Sequence, residues 1–482
     1  MGFVSNHALA QEPAEADTNT EAEPRHNTEE PKEAEPPAAV LPAEPAISPA
    51  AAAAPIAAPP AEATPPVARP KFGDISTSGY FRGGFGASSQ KGRMTCFALA
   101  NPQGLVVKYR LGNECEVWAE FQLNAVVYAG ADGSVAHLHF MPVAFIPNTY
   151  GGYPSTGVTS SDQGSPGTGA TVAFPNLYAD IQGIPWLAGG TAWAGTRYYK
   201  RESVYINDFF YWNPSGVGAG IEDINLNQDL RLSYAVFATD GEPSGSPPLP
   251  NQVDFGFRND LQLRGIKPYP SGEFQVGFQY IANYSDNPTT HSGWGVTVQH
   301  VQKLLGGDNK LAFQYGKGGG TGFGTLGRFY YPDFSVRHDP AESRLRVVEV
   351  LTVQPTDWLG AQGDFVYQRD DLGNVGSKTT WISAGARVGW GFTEHAKLLG
   401  EVGYDHVKKS NGAAPQMLAK FTIAPAITAG KGFMSRPELR LFYTWAMWNE
   451  AARIASIDSG KLYTNTNKLS GATFGLQGET WW

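Results

Sequence analysis

Nowhere in the 482-residue chain does an apolar run approach the roughly 18 residues that a membrane-spanning helix needs. The lack excludes helical spans and leaves membrane strands open, because those carry only alternating hydrophobicity. The mean hydropathy of −0.28 fits such strands equally well. Cysteine is scarce: Cys96 and Cys115 are the two in the chain. Their spacing alone leaves one disulfide and two buried thiols equally open. Aromatic residues are missing from residues 11–70, which hold fourteen prolines, eleven acidic residues and three basic ones. Such a segment buries too little apolar surface to offset its ordering entropy, so it is expected to be disordered and extended. It carries −8 of the formal charge of −9, which leaves the rest of the chain near neutral at −1. A basic face is therefore lacking, and no nucleic-acid partner is expected. No Walker A, zincin or nucleophile-elbow pattern occurs. Glu116 and Glu120, four apart on a strand, stand ~13 Å from each other, too far for paired acid–base work. Neither an enzyme nor a cofactor is expected.

What the chain does have is alternation. In Ala472–Trp482 one series reads Ala472, Phe474, Leu476, Gly478, Thr480, Trp482. The other reads Thr473, Gly475, Gln477, Glu479, Trp481. Successive strand side chains point to opposite faces, so one face is apolar and the other polar. About ten such residues span a bilayer core when tilted, although an ordinary sandwich strand reads the same way. Glu116, Trp118, Glu120, Gln122 and Asn124 alternate with Val117, Ala119, Phe121, Leu123 and Ala125; Trp381, Ser383, Gly385 and Arg387 do so with Ile382, Ala384, Ala386 and Val388. Tyr80 and Arg82 share a face opposite Phe81, Gly83 and Phe85. Three strands thus place a tryptophan in the polar series, which reads as a track inside a water-filled lumen, with Trp482 in the outer aromatic girdle.

Between these strands lie Gly-, Ser-, Thr-, Pro- and Asn-rich loops at 148–169, 239–252, 286–293, 316–324, 370–378 and 410–415. They suit an antiparallel meander. Residues 197–208 break the alternation, with charges on both parities, and fit a loop folded into the lumen rather than a lipid-facing strand. His137 and His139 share a strand face, but the sequence offers no third ligand, so no metal is expected. Ala8-Leu9-Ala10 resembles a secretory cleavage site, although the preceding apolar segment is absent. The chain accordingly divides into a leader remnant at 1–10, an acidic Pro/Ala-rich extension at 11–70 and a barrel at 71–482.

Longer blocks carry a resemblance. Tyr109-Arg-Leu-Gly-Asn-Glu-Cys115-Glu-Val-Trp118-Ala-Glu120, Trp193-Ala-Gly-Thr-Arg-Tyr-Tyr-Lys-Arg201, Asp208-Phe-Phe-Tyr-Trp212 to Gly218-Ala-Gly-Ile-Glu222, Ser435-Arg-Pro-Glu-Leu-Arg440 and Trp481-Trp482 are similar, in order, to the maltoporin family. The resemblance spans residues 74–482. It implies an all-β, eighteen-stranded antiparallel transmembrane barrel, trimeric in the outer membrane of a Gram-negative cell, that passes oligosaccharides by facilitated diffusion. An aromatic slide would map to Tyr80, Trp118, Trp381 and Trp481, and a polar track to Arg82, Arg110, Glu120, Arg201 and Asp208. The constriction would hold Phe210 where the family has tyrosine and Asn213 where it has aspartate. A slide phenylalanine aligns to Val296 and a constriction arginine to Leu177. Tyr150 and Tyr153 are candidates for the ring lent to a neighbouring subunit. The resemblance also implies a Cys96–Cys115 bond.

The expectation is a carbohydrate-selective porin surrounded by outer-membrane lipid. Its rivals are a general or anion-preferring pore, and an envelope tether that meets peptidoglycan or a periplasmic protein through residues 11–70.

Overall fold

The computed structural model describes residues 70–99, 108–147, 170–240, 255–322, 338–373, 378–456, 462 and 467–482. Expectations for residues 1–69, and for Tyr150 and Tyr153, lie outside them. The described residues all belong to the unit Ala68–Trp482.

Twenty strands are described: β1 Ile75–Ser88, β2 Glu116–Ala129, β3 Val135–Pro147, β4 Thr171–Ile184, β5 Gly190–Arg197, β6 Glu202–Val204, β7 Phe209–Trp212, β8 Gly216–Asn225, β9 Arg231–Asp240, β10 Phe255–Tyr269, β11 Gly272–Asn283, β12 Gly293–Leu304, β13 Gly307–Lys317, β14 Ser343–Val353, β15 Leu359–Asp371, β16 Thr379–Thr393, β17 Ala396–Lys409, β18 Gln416–Thr428, β19 Glu438–Trp448 and β20 Ser470–Trp481. All but β6 and β7 form one antiparallel sheet of eighteen strands, closed by pairing of β1 with both β2 and β20. Closure leaves no edge to solvate, as a sheet in lipid requires. The short turns gather at the end where β1 begins and β20 finishes; the long connections gather at the other.

The packing is inverted relative to a soluble protein. In β19, Leu439, Leu441, Tyr443, Trp445 and Met447 are exposed, whereas Glu438, Arg440 and Thr444 are buried. Exposed apolar residues and buried ions mark an apolar solvent outside and polar filling inside. Phe474, Leu476 and Trp482 are outward and exposed, as their parity predicts. The outward face also holds Leu177 and Val296, the latter between the exposed Trp294 and Val298. Neither position lines the lumen, which corrects the alignment at both. A one-residue slip in register exchanges the two faces of a strand.

Among the described residues, the β1–β2 and β5–β8 connections fold inward. Residues 108–115 are tied to the β1 end by the Cys96–Cys115 disulfide, with Cα atoms 5.8 Å apart. Asn113 pins the same segment, accepting from the Phe97 amide at 2.7 Å and donating to the Phe97 and Tyr109 carbonyls. The Tyr109 ring sits in a notch made by Gly385 and Gly403, which face each other across β16 and β17. A Cβ on either glycine would lie within about 2 Å of that ring, far inside contact distance. The second inward connection, residues 198–215, carries the hairpin β6–β7. Its Ile206 carbonyl accepts from the Arg110 amide at 2.9 Å, so the two inward segments meet inside the barrel. This accounts for the broken alternation at 197–208.

Candidate functional site

The inner wall formed by β20, β1 and β2 brings Tyr80, Trp118 and Trp481 together. Cross-strand register pairs Trp481 with Tyr80 and Tyr80 with Glu120. One step along, it pairs Glu479 with Arg82 and Arg82 with Trp118. The three aromatics therefore run diagonally over three neighbouring strands, each half-buried. The Tyr80 and Trp481 rings are nearly parallel, at 16°, with centroids 6.4 Å apart. That separation is wider than a face-to-face sandwich and falls in the range of an offset stack. Trp118 donates from Nε1 to Glu120 at 2.9 Å and rests edge-on against Phe145.

Trp381 is inward, as its parity predicts, but stands apart from this group. It is 4 % exposed. Its Nε1 donates to Asp405 at 3.1 Å, and Phe209 of β7 packs edge-on at 5.3 Å. The inward hairpin thus covers it.

Beside the aromatic diagonal lies a connected chain of ions. Lys397 pairs with Glu438 at 2.7 Å, and Glu438 also meets Arg436 and Arg440. Both arginines contact Glu479, which meets Arg110 at 3.1 Å. Arg110 reaches Glu114 at 2.8 Å, and Glu114 reaches Arg82 at 2.9 Å. Arg82 then contacts Asp208 and Glu116, each at 2.9 Å, and Glu116 meets Lys108 at 3.0 Å. Six cations alternate with five anions, so no buried charge in the chain is left alone, which would be strongly destabilising. Arg436 lies 4.3 Å over the Trp481 ring and Arg82 5.6 Å over Trp118, cation–π contacts that orient both indoles. Burial pushes the Asp208 carboxyl up, but the Arg82 and Arg110 guanidiniums outweigh it and hold it well below the usual carboxylate range.

Arg201 lies over Tyr198 at 3.4 Å and Phe210 at 4.8 Å. Phe210 is half-buried, on the face of β7 opposite the buried Phe209 and Tyr211. Asn213 accepts from the Ser215 amide and hydroxyl, an Asx turn closing the inward connection.

Sequence reasoning missed Glu114, Tyr205, Arg436, Glu438, Arg440 and Glu479 as members of this site. Tyr205 donates to Glu479 at 2.7 Å and lies edge-on to Trp481 at 6.0 Å. The signal was present: Arg436, Glu438 and Arg440 recur at every second position leading into and along β19, and Glu479 shares the parity of Trp481. A further inward group, His137 and His139 of β3, gains Asp180 from β4, because register sets His137 opposite Asp180.

Several solved structures align with this chain at low identity. OccAB1 of Acinetobacter baumannii aligns with a TM-score of 0.46 at 10 % identity, over 85 % of this chain and 97 % of its own. OccD3 of Pseudomonas aeruginosa gives 0.40 at 11 %, over 85 % and 91 %. An OmpT of Vibrio cholerae, solved in a trimer form, gives 0.39 at 9 %, over 86 % and 100 %. Residues 75–482 match the LamB porin family, and with the closed barrel around a polar, charge-lined interior the chain belongs to that family as an outer-membrane porin.

Proposed function

We propose that the pore is carbohydrate-selective and passes oligosaccharides by facilitated diffusion along Trp481, Tyr80 and Trp118. The observation that carries this reading is the diagonal of half-buried rings on three adjacent strands, bordered along its length by arginines and carboxylates. Sugar rings present apolar faces that stack on aromatics, and hydroxyls that need charged or polar partners. No bond is made or broken. Weak, repeated contacts admit a sugar and release it again. Homotrimeric assembly belongs to the same reading, since the family resemblance implies it; light scattering on unheated, detergent-extracted protein tests it, and a monomer would refute it.

The decisive measurement for selectivity is sugar block of single-channel current, after liposome swelling with di- and trisaccharides has picked the sugar. Trp118→Ala and Trp481→Ala should each weaken block while leaving sugar-free conductance nearly unchanged. Parent-like block in both variants would hand the pore to the rival reading of an anion-preferring channel. The excess of one cation in the ion chain favours that rival.

A further inference from the structure

On the inner wall of β3 and β4, toward the short-turn end, three ligating side chains converge. His137 Nδ1 lies 2.9 Å from Asp180 Oδ1, and His139 Nε2 lies 3.1 Å from Asp180 Oδ2. The three ligand atoms all fall within 4.8 Å of one another. We infer that His137, His139 and Asp180 form a binding site for a divalent late-first-row transition ion of the Zn2+ type.

A line of hydrogen bonds fixes the orientation of the His139 ring. Backbone groups settle which amide atoms donate along a line of side chains leading to it. The Tyr198 amide donates to Asn176 Oδ1 at 2.7 Å, so Asn176 Nδ2 is the donor to Gln122 Oε1, also at 2.7 Å. Gln122 Nε2 then donates to Asn124 Oδ1 at 2.9 Å and to the Leu123 carbonyl at 3.0 Å. Asn124 therefore presents an oxygen to His139 Nδ1, 2.7 Å away, and Nδ1 must carry a proton. The ring's Nε2 then faces Asp180 Oδ2 at 3.1 Å. A metal-bound histidine has this arrangement, with its other nitrogen donating to a carbonyl or carboxylate that orients the ring.

The spacing suits an ion. Tetrahedral ligands at 2.0–2.2 Å from zinc stand about 3.4 Å apart, so ligand atoms that lie within 4.8 Å of one another close on an ion by shifting up to about 1.4 Å. His139 is stacked on Tyr178 with centroids 4.2 Å apart, which holds its plane. Gln182 Nε2 donates to Asp180 Oδ2 at 2.9 Å and steadies the carboxylate. Two imidazoles with one carboxylate favour zinc, copper or nickel over magnesium and calcium, which prefer all-oxygen sets. Lumenal water would complete the coordination.

The test uses the full-length, tag-free chain in detergent, titrated with Zn2+ and, separately, Mg2+ by calorimetry. One Zn2+ per chain should bind saturably, and Mg2+ should not. His137→Ala/His139→Ala should abolish that binding. Asn124→Ala, which removes the orienting carbonyl, should weaken it roughly 10–100-fold. Absorption spectroscopy of the Zn2+-loaded parent should find two imidazole nitrogens in the first shell, and this holds even where the double variant does not fold. No saturable Zn2+ binding, unchanged binding in the folded double variant, or fewer than two imidazoles would each overturn the site. The group would then be a hydrogen-bonded imidazolium–carboxylate cluster.

Discussion

The wall around Trp481 and the wall around Trp381 carry the same pattern in the sequence and do different things in the structure. Both place a tryptophan in the polar series of an alternating strand, and both turn it inward. On β20, β1 and β2 the rings stay half-buried beside a continuous ion chain. On β16 the ring is sealed beneath Phe209, while Tyr109 fills the glycine notch on the same strand. Parity therefore decides the side of the wall, and inward connections decide whether that side is open. Of the four residues that the family resemblance assigns to a slide, three are half-buried on neighbouring strands and Trp381 is buried beneath Phe209.

The strongest way to break this contrast is to truncate both tryptophans and measure stability. Trp381→Ala should cost about 3–5 kcal/mol in urea unfolding from detergent, the range for a large ring lost from a packed site. Trp481→Ala should cost far less, since that ring is only half-buried. Equal losses would mean that the two walls are equally packed. Next in size, Gly403→Leu should drive Tyr109 out of its notch at a cost of about 1–3 kcal/mol from overpacking. The displaced inward segment should raise open-channel current noise, and a quiet channel at parental stability would contradict the notch. Sugar affinity should show the opposite ranking. Trp118→Ala or Trp481→Ala should lose about 0.5–1.5 kcal/mol, roughly two- to twelve-fold in block, whereas a folded Trp381→Ala should change it little.

The smallest effect concerns the Arg82–Asp208 pair, which ties the inward hairpin to the open wall. Asp208 has a depressed folded value, so its contribution is fully present above the free carboxylate's ordinary value of about 3.9. It is lost as pH falls through the lower folded value. Asp208→Asn should cost well below the roughly 3–5 kcal/mol of stranding a buried charge, because Arg82 keeps Glu114 and Glu116. Current fluctuations should distinguish the variant from the parent at neutral pH and converge only in strong acid. Convergence already around the free carboxylate's value of about 3.9 would show that the carboxyl is not held low.

The sequence by itself determined the two-faced strands. It also marked residues 197–208 as inward, because charge on both parities cannot meet hydrocarbon. A period of two is a local property, readable wherever the chain is extended. Other features depended on contacts between distant residues. Leu177 and Val296 fall outside because register, set by neighbouring strands, assigns their faces. Glu479, Arg436, Arg440 and Arg110 form one ion chain only because closure brings β20, with β19 on its other side, beside β1 and the inward segment 108–115 reaches them. Asp180 becomes the third member of the histidine group through the pairing of β3 with β4, across 41 residues from His139. Local alternation could say which way each side chain points; only the closed barrel and its inward loops could say what it meets there.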